Sequence, residues 1–304
     1  MTFLAGVVAQ LLHIGLVASA APTLTGLHSW TQARLAGRSG GSPLQAWRDL
    51  LRLLRKQTVL AESASNVTID APVVCAATTA VAACLVPSFT LGMTLAPFAD
   101  LLLIAGLLMA ARISLSLAAM DAGTAAGGMA ASRAMLLGCL AEPALLLVLF
   151  VLALVAGSLD LDMVAAMRLE NGMDWRIGIV LALAATLLVV LIDAMRHQAL
   201  AMDLGGRDLA LIEAANALRL LVWFNLIGAM FLPFGMARAD AGPVIWATGI
   251  ITWLARTLLF AASLALLDAG LGRIGLLRAA RVLGVAVLLG LLAAVFLLAD
   301  MVTA

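Results

Sequence analysis

Charge is what this chain has least of. Only 12% of its 304 residues are Asp, Glu, Lys or Arg, against about a quarter in an ordinary soluble domain. That excludes a water-soluble fold. Cysteine is also scarce: Cys75, Cys84 and Cys139 all fall in apolar sequence, and no Cys-x-x-Cys occurs. The chain is therefore expected to hold no iron–sulfur cluster or structural zinc of its own, and the three thiols read as small buried hydrophobes. His13, His28 and His197 are scattered, without the spacing of a metal site; a lone histidine at a membrane boundary is more often surface than ligand. No phosphate-binding loop, nucleophile elbow or dinucleotide fingerprint is present. No internal repeat and no Pro- or Ser-rich linker divides the chain, so residues 1–304 read as a single membrane domain.

Long apolar runs are what it has in quantity. Hydrophobic residues make up 64% of the chain, and its mean hydropathy is +1.13. Segments long enough to cross a bilayer, about 20 residues each, are Phe3–Leu27, Pro72–Thr94, Asp100–Met120, Ala134–Gly157, Arg176–Met195, Leu209–Leu232, Val244–Leu267 and Ala280–Val302. The first is too long, and its start too uncharged, for a cleavable signal peptide, so it is expected to remain as a permanent helix. The expected fold is all-α: a polytopic integral membrane helix bundle with about eight transmembrane helices and an amphipathic cytoplasmic loop. Twelve of the eighteen Lys and Arg residues fall in one set of connections, three in the opposite set and three inside the spans. Positive charge is retained on the cytoplasmic side, which places both termini on the periplasmic side of a bacterial inner membrane.

The connection 28–70 is the most informative stretch. Arg34 to Gln57 reads RLAGRSGGSPLQAWRDLLRLLRKQ and carries six of the eighteen basic residues. Trp47, Leu50, Leu51, Leu53 and Leu54 interleave with Arg48, Arg52, Arg55 and Lys56 at helical spacing, which makes one apolar face and one cationic face. Two readings fit: anchoring to anionic lipid, or docking of a soluble partner through Arg34, Arg38, Gln45, Arg48, Asp49 and Arg52, with Arg133 from a later connection. The Asp160–Asp174 connection is acidic and reads as a solvated periplasmic loop.

Ionisable groups inside spans pair or line hydrated paths, because an isolated charge at bilayer depth is costly. Here they are Arg112, Glu142, Asp193, Glu213, Arg219, Arg256 and Asp268. Glu142 lies roughly a third of the way into the bilayer, and Pro143 follows it, loosening the helix and freeing a carbonyl nearby. Glu142 is either a proton-relay element or half of a structural ion pair with Arg112 or Arg219. Asp193 and Arg196 lie at the cytoplasmic end of the fifth span, where the arginine can snorkel. Asn216 and Asn225 suit interhelical hydrogen bonding.

The residues resemble a known family. R-x-x-x-R-x-G-x-x-P-L-Q-x-x-R-D-L-x-x-L at Arg34–Leu53 is similar to the first cytoplasmic loop of the complex I subunit 1 family. The branch it resembles most is the membrane subunit (component C) of hydrogenase-4 and formate hydrogenlyase, the group 4 nickel–iron hydrogenases. The run DAGTAAGGMAASR at Asp121–Arg133, L-x-E-P at Leu140–Pro143, A-G-S at Ala156–Ser158, I-D at Ile192–Asp193, G-x-x-L-A-L at Gly206–Leu211 and F-L-P-F-G at Phe231–Gly235 follow in the family's order.

The resemblance implies a non-catalytic membrane anchor and coupling subunit of an oxidoreductase complex. Such a subunit ties a peripheral electron-transfer arm to antiporter-like, ion-translocating membrane subunits. It implies a peripheral iron–sulfur small subunit and a large subunit as partners, with the lipid bilayer as surroundings and no nucleic acid. Cofactors would be iron–sulfur clusters in partner subunits, with a nickel–iron centre left open, and none in this chain. In complex I the same loops form a quinone chamber. Glu142 and Asp193 stand where the family has acidic residues of the hydrophilic axis, and Asp121, Arg112 and Arg219 complete the implied ion path. The chain departs from the family at the acidic loop after the fifth helix: only six residues, His197 to Met202, separate Arg196 from Asp203. Thr58 and Leu204 stand where Glu and Tyr are usual, and the chain has no tyrosine. A connecting subunit of an ion-translocating complex without hydrogenase chemistry is the alternative function.

Overall fold

Apolar runs bounded by capping residues set the architecture. The computed structural model describes all residues except 1, 59–63, 171–175, 195–199, 202–203, 272–274 and 304. Its helices are α1 (Thr2–Leu35), α2 (Gln45–Leu54), α3 (Asn66–Leu85), α4 (Leu101–Asp121), α5 (Ala125–Ala156), α6 (Leu161–Glu170), α7 (Ile177–Ala194), α8 (Gly206–Phe231), α9 (Pro243–Leu271) and α10 (Leu276–Thr303). Seven of them are long and apolar enough to cross a membrane; α7 supplies a shorter apolar helix, Ile177–Asp193. The all-α, multi-pass expectation therefore holds.

Several boundaries differ from those read off hydropathy, for local reasons. The helix α1 runs on past Leu27 to Leu35 because no breaker occurs before Gly37, whose φ of +69° ends it. Its last turn carries Arg34, a cation at the negative end of the helix dipole, so part of segment 28–70 is helix rather than loop. The helix α3 starts earlier, at Asn66, because Ser65 caps it by accepting from the Val67 N–H at 3.2 Å. It stops at Leu85 rather than Thr94, since Pro87 pushes Val86 into extended backbone. Residues 86–100 form irregular backbone instead, including β1 (Thr90–Leu91), which pairs in parallel with β2 (Ala237–Arg238).

The Asp160–Asp174 connection is not the solvated loop expected; its last residues, including Asp174, lie outside the described residues. Ten of its fifteen residues, Leu161–Glu170, fold into α6, which buries Leu161, Val164, Ala165 and Arg168 against the end of the bundle. Apolar residues at i, i+3 and i+4 make that face possible. Asp162 lies inward with it: its Oδ2 accepts from the Gly92 N–H at 2.6 Å. Burial holds this carboxyl up at about 6, opposed by the Gly92 hydrogen bond and reinforced by the Asp160 charge.

The helix α8 is the central post: 67% of its apolar window is buried, against 33–44% for the other long helices. Small residues let neighbours close up, as is common between membrane helices. A Cβ on Gly178 of α7 would come within 2.9 Å of the Ala293 carbonyl on α10. Two cysteines depart from the buried expectation: Cys75 is buried, but Cys84 is half-buried and Cys139 faces outward. Two histidines are more integrated than expected. His13 is fully buried between Ser88 Oγ at 2.7 Å and the Ala83 carbonyl at 3.0 Å. His28 lies 3.0 Å from Asp268 Oδ2, tying α1 to α9. His197 is outside the described residues.

Candidate functional site

Four charged residues predicted inside spans converge where α4, α5, α7 and α8 meet. Arg219 lies midway along α8, and its guanidinium grips Asp193 at the end of α7 with two parallel bonds. Nε donates to Oδ2 at 2.8 Å and Nη2 to Oδ1 at 2.7 Å. Trp223, one turn further along α8, donates its indole N–H to the same Oδ2 at 2.8 Å. All three side chains are buried. Glu142 of α5 faces Arg112 of α4 at 3.8 Å, too long for a hydrogen bond. Arg112 feels the charges of Asp193, Arg219 and Glu142 together. Its Nε and Nη1 are buried and have no hydrogen-bond partner.

Gly138, one turn before Glu142 on α5, makes room for that arginine; a Cβ there would sit 2.8 Å from Arg112 Nη1. A cavity of about 220 Å³ opens beside the group, with Arg112, Glu142, Asp193 and Trp223 in its floor and apolar side chains of α4 and α5 as walls. The site thus combines a rigid pair, a loose pair and a void. Arg219, rather than Arg112, is the partner of Asp193, and Arg112 is the partner of Glu142. Arg196 lies outside the described residues.

Asp121 is placed elsewhere. It ends α4 and accepts from the Ser65 N–H at 2.8 Å, Ser65 Oγ at 2.7 Å, the Thr68 N–H at 3.2 Å and Thr68 Oγ1 at 2.5 Å. It therefore closes the start of α3, and it does not line the cavity.

The basic residues singled out around α2, and Arg133 of α5, are exposed. Arg34 stacks over Trp30 with 5.4 Å from its central carbon to the ring; Arg38, Arg48, Arg52 and Arg133 are exposed. On α2, Gln45 donates to Asp49 at 3.2 Å, and Asp49 pairs with Arg52 at 3.1 Å. No residue of α2 is buried, and Leu51 and Leu54 stay exposed. Segment and bundle nevertheless touch: a Cβ on Gly206, at the start of α8, would collide with the Gln57 carbonyl.

Three functional details escaped the sequence. Trp223 was legible only as i+4 from Arg219, the spacing that puts two residues on one helix face. His28 and Gln32, also four apart, both reach Asp268, with Gln32 Nε2 donating at 2.7 Å. Arg256 serves the fold: it donates to the carbonyls of Leu232 at 2.8 Å and Ser88 at 3.0 Å, where α8 and the chain after α3 end. Asn225 takes the expected interhelical role, accepting from Trp253 Nε1 at 2.8 Å. Among the described residues, no group of three His, Cys, Asp or Glu side chains could hold a metal ion.

An apolar bundle with paired charges inside it and exposed cations around α2 defines a multi-pass membrane protein with a polar interior at bilayer depth. Comparison narrows the class. The family described as NADH dehydrogenase matches residues 8–299, and the chain belongs to its subunit 1 family. Hydrogenase-4 component C of Escherichia coli (strain K12) is 32% identical over 254 residues, 79% of each chain. Formate hydrogenlyase subunit 4 of the same strain is 30% identical over 240 residues, 75% of this chain and 78% of that one. The solved structure of the membrane-bound sulfane sulfur reductase, an archaeal respiratory membrane complex, contains a chain with a TM-score of 0.79 to this one. The match covers 94% of this chain and 98% of that chain at 17% identity, a likeness of fold.

Proposed function

We propose that this chain is the membrane anchor and coupling subunit of a complex I-like, group 4 hydrogenase-like assembly. It would join a peripheral electron-transfer arm to antiporter-like, ion-translocating membrane subunits. The observation that carries the reading is the unequal pair of ion pairs in a chain of this family. Asp193 is held by three short hydrogen bonds, whereas Glu142 faces Arg112 loosely beside a void. A group that changes protonation at low cost has to be the loosely held one. In this reading Glu142 carries the proton, Arg112 follows it, and Arg219 with Asp193 supplies a fixed field. The exposed rim of Arg34, Arg38, Arg48, Arg52 and Arg133 would face the arm, with Gln45 and Asp49 ordering α2. Iron–sulfur clusters, and nickel–iron if the large subunit has it, would lie in the partners. Both termini would be periplasmic in a bacterial inner membrane.

The test is Glu142→Gln, which keeps shape and removes titration. Coupled ion movement should be lost while the complex still assembles. Failed assembly, with normal ion movement in whatever complex remains, would make Glu142 a structural pair member. Charge reversal of Arg38, Arg48 and Arg52 to Glu should release peripheral subunits and leave the membrane domain folded. An arm that stays attached at physiological salt, where charges more than about 8 Å apart are screened, would make the rim a lipid anchor. The shortened segment between Arg196 and Asp203 favours the second reading, a connecting subunit without hydrogenase chemistry. Co-purified subunits separate the two: a large subunit with two Cys-x-x-Cys pairs supports hydrogenase chemistry.

A further inference from the structure

At the end of the bundle opposite α2, irregular backbone closes the protein. Residues 86–100 and 232–242 meet there through β1 and β2, and the Ala237 N–H donates to the Phe89 carbonyl at 2.8 Å. Backbone of this kind is tolerated in a membrane protein only where protein buries it or where it lines water. Polar side chains run beneath it. Asn225 of α8 accepts from the Trp253 indole of α9 at 2.8 Å. Further out, His13 of α1 meets Ser88 Oγ at 2.7 Å. Gln10 donates to the Cys84 carbonyl at 3.0 Å and accepts from the Leu95 N–H at 3.3 Å. A string of hydrogen-bonding groups is what a proton needs to cross this half of the protein.

One charge stands in that string. Arg256 lies near the middle of α9 (Pro243–Leu271), roughly 20 Å from either end at about 1.5 Å per residue. Its guanidinium donates to the Leu232 and Ser88 carbonyls at 2.8 and 3.0 Å, so it touches the residue whose hydroxyl meets His13. Among the described residues no carboxylate pairs with it. Asp162, which reaches this backbone, accepts from the Gly92 N–H instead. Arg219, by contrast, is balanced by Asp193. Two carbonyls need donors, not charge, and a Gln amide offers two N–H groups without an ion at bilayer depth. Backbone capping therefore does not explain why the donor is charged.

A fixed cation in a low-dielectric gap repels any second cation, and such a barrier is one way that pores exclude protons. His13 offers no cheap way past it. In the neutral ring the Ala83 carbonyl can only accept, which fixes the proton on Nε2 and leaves Nδ1 to accept from Ser88. A second ring proton would make a fully buried cation across Ser88 from Arg256, at a high desolvation cost.

We propose that Arg256 is an electrostatic seal, whose uncompensated charge keeps protons from crossing the half of the protein opposite α2 along Asn225, Ser88 and His13. The seal does not depend on Glu142 carrying a proton.

The experiment reconstitutes the assembled complex in liposomes that hold a pH-sensitive dye. Proton leak is read at rest, without electron donor, under a potassium diffusion potential set with valinomycin. Arg256→Gln keeps an amide donor and removes the charge. Its leak should exceed the parent's by about tenfold, equivalent to about 1.4 kcal/mol off the barrier. Arg256→Lys keeps the charge with fewer donors and should be as tight as the parent near neutral pH. A tight Arg256→Gln complex would overturn the seal. So would an Arg256→Lys complex as leaky as Arg256→Gln, because lost carbonyl caps rather than lost charge would then open the gap. If Arg256→Gln does not assemble, Arg256→Lys decides alone. Alkaline pH discharges a buried lysine but not an arginine. The leak of Arg256→Lys relative to the parent's should therefore climb between about pH 7 and about pH 9.5, and parallel curves would overturn the proposal. Coupled ion movement is not the readout, so failure here is distinct from failure of the Glu142 reading.

Discussion

Arg219 and Asp193 are joined by two parallel N–H···O bonds of 2.8 and 2.7 Å across α8 and α7, with both side chains almost wholly buried. Neither can exchange its partner for water. Removing one member strands the other's charge, whereas removing both leaves an apolar packing problem and the indole N–H of Trp223 without its carboxylate. Arg219→Met and Asp193→Leu should each destabilise the protein by about 3–5 kcal/mol, and the double variant by clearly less than the sum. Denaturation in detergent micelles measures this. Additive losses would mean that each side chain is held by groups other than its partner.

The looser pair invites a packing test. Gly138 is the residue that allows Arg112 to lie where it does, since a Cβ would sit 2.8 Å from Nη1 and 3.4 Å from Cδ. Gly138→Ala should displace the guanidinium and cost about 1–3 kcal/mol as overpacking. In an Arg112→Ala background the obstacle is gone and the same change should be close to neutral. A double-mutant cycle of thermal stabilities reports the coupling, expected at about 0.5–3 kcal/mol. No coupling would place Arg112 away from α5.

Much of this was legible in the chain. Hydropathy located the apolar runs because spanning segments must be both long and helical. The charges Arg112, Glu142, Asp193 and Arg219 stand out within their spans because little else in those segments is polar. Their pairing does not, since which carboxylate meets which arginine depends on helix rotation and tilt, and composition holds neither. The family resemblance groups Asp121 with them, yet it caps α3 through Ser65 and Thr68. Long-range capping of that kind leaves no local signal. The fold of α6 onto the bundle was hidden because four acidic residues in a short connection mask one small apolar face.

Arg256 shows how a half-buried cation within a span can serve the fold. It donates to the carbonyls of Leu232 and Ser88, where a helix end and a chain reversal leave backbone oxygens without partners. Gly228 leaves it room, for a Cβ there would come within 2.6 Å of the guanidinium. Arg256→Met should strand two carbonyls at about 1–3 kcal/mol each. Arg256→Lys, with a single nitrogen, should recover about half of that loss. Equal stability of all three proteins in a detergent melt would show that water satisfies those carbonyls.

Asp162 carries a pH dependence whose sign can be worked out. Burial raises its carboxyl from 3.8 to about 6 in the folded protein. The folded state therefore binds the proton more tightly than the unfolded chain. That preference contributes stability in full below about pH 4 and is lost as pH rises through about 6. The groups around it do not reverse the sign: Asp160 adds like charge, and the Gly92 N–H favours the ionised form too weakly to offset burial. Asp162→Asn keeps an oxygen to accept from Gly92 and removes the ionisation. Parent and variant should melt alike near pH 4. By pH 8 the variant should be the more stable by about 1–3 kcal/mol, one pKa unit being worth about 1.4 kcal/mol. Melting curves of both proteins from pH 4 to pH 8 decide it. A parent that is the more stable at pH 8 would mean that the ionised carboxylate, together with Arg168 and Gly92, clamps α6 in place.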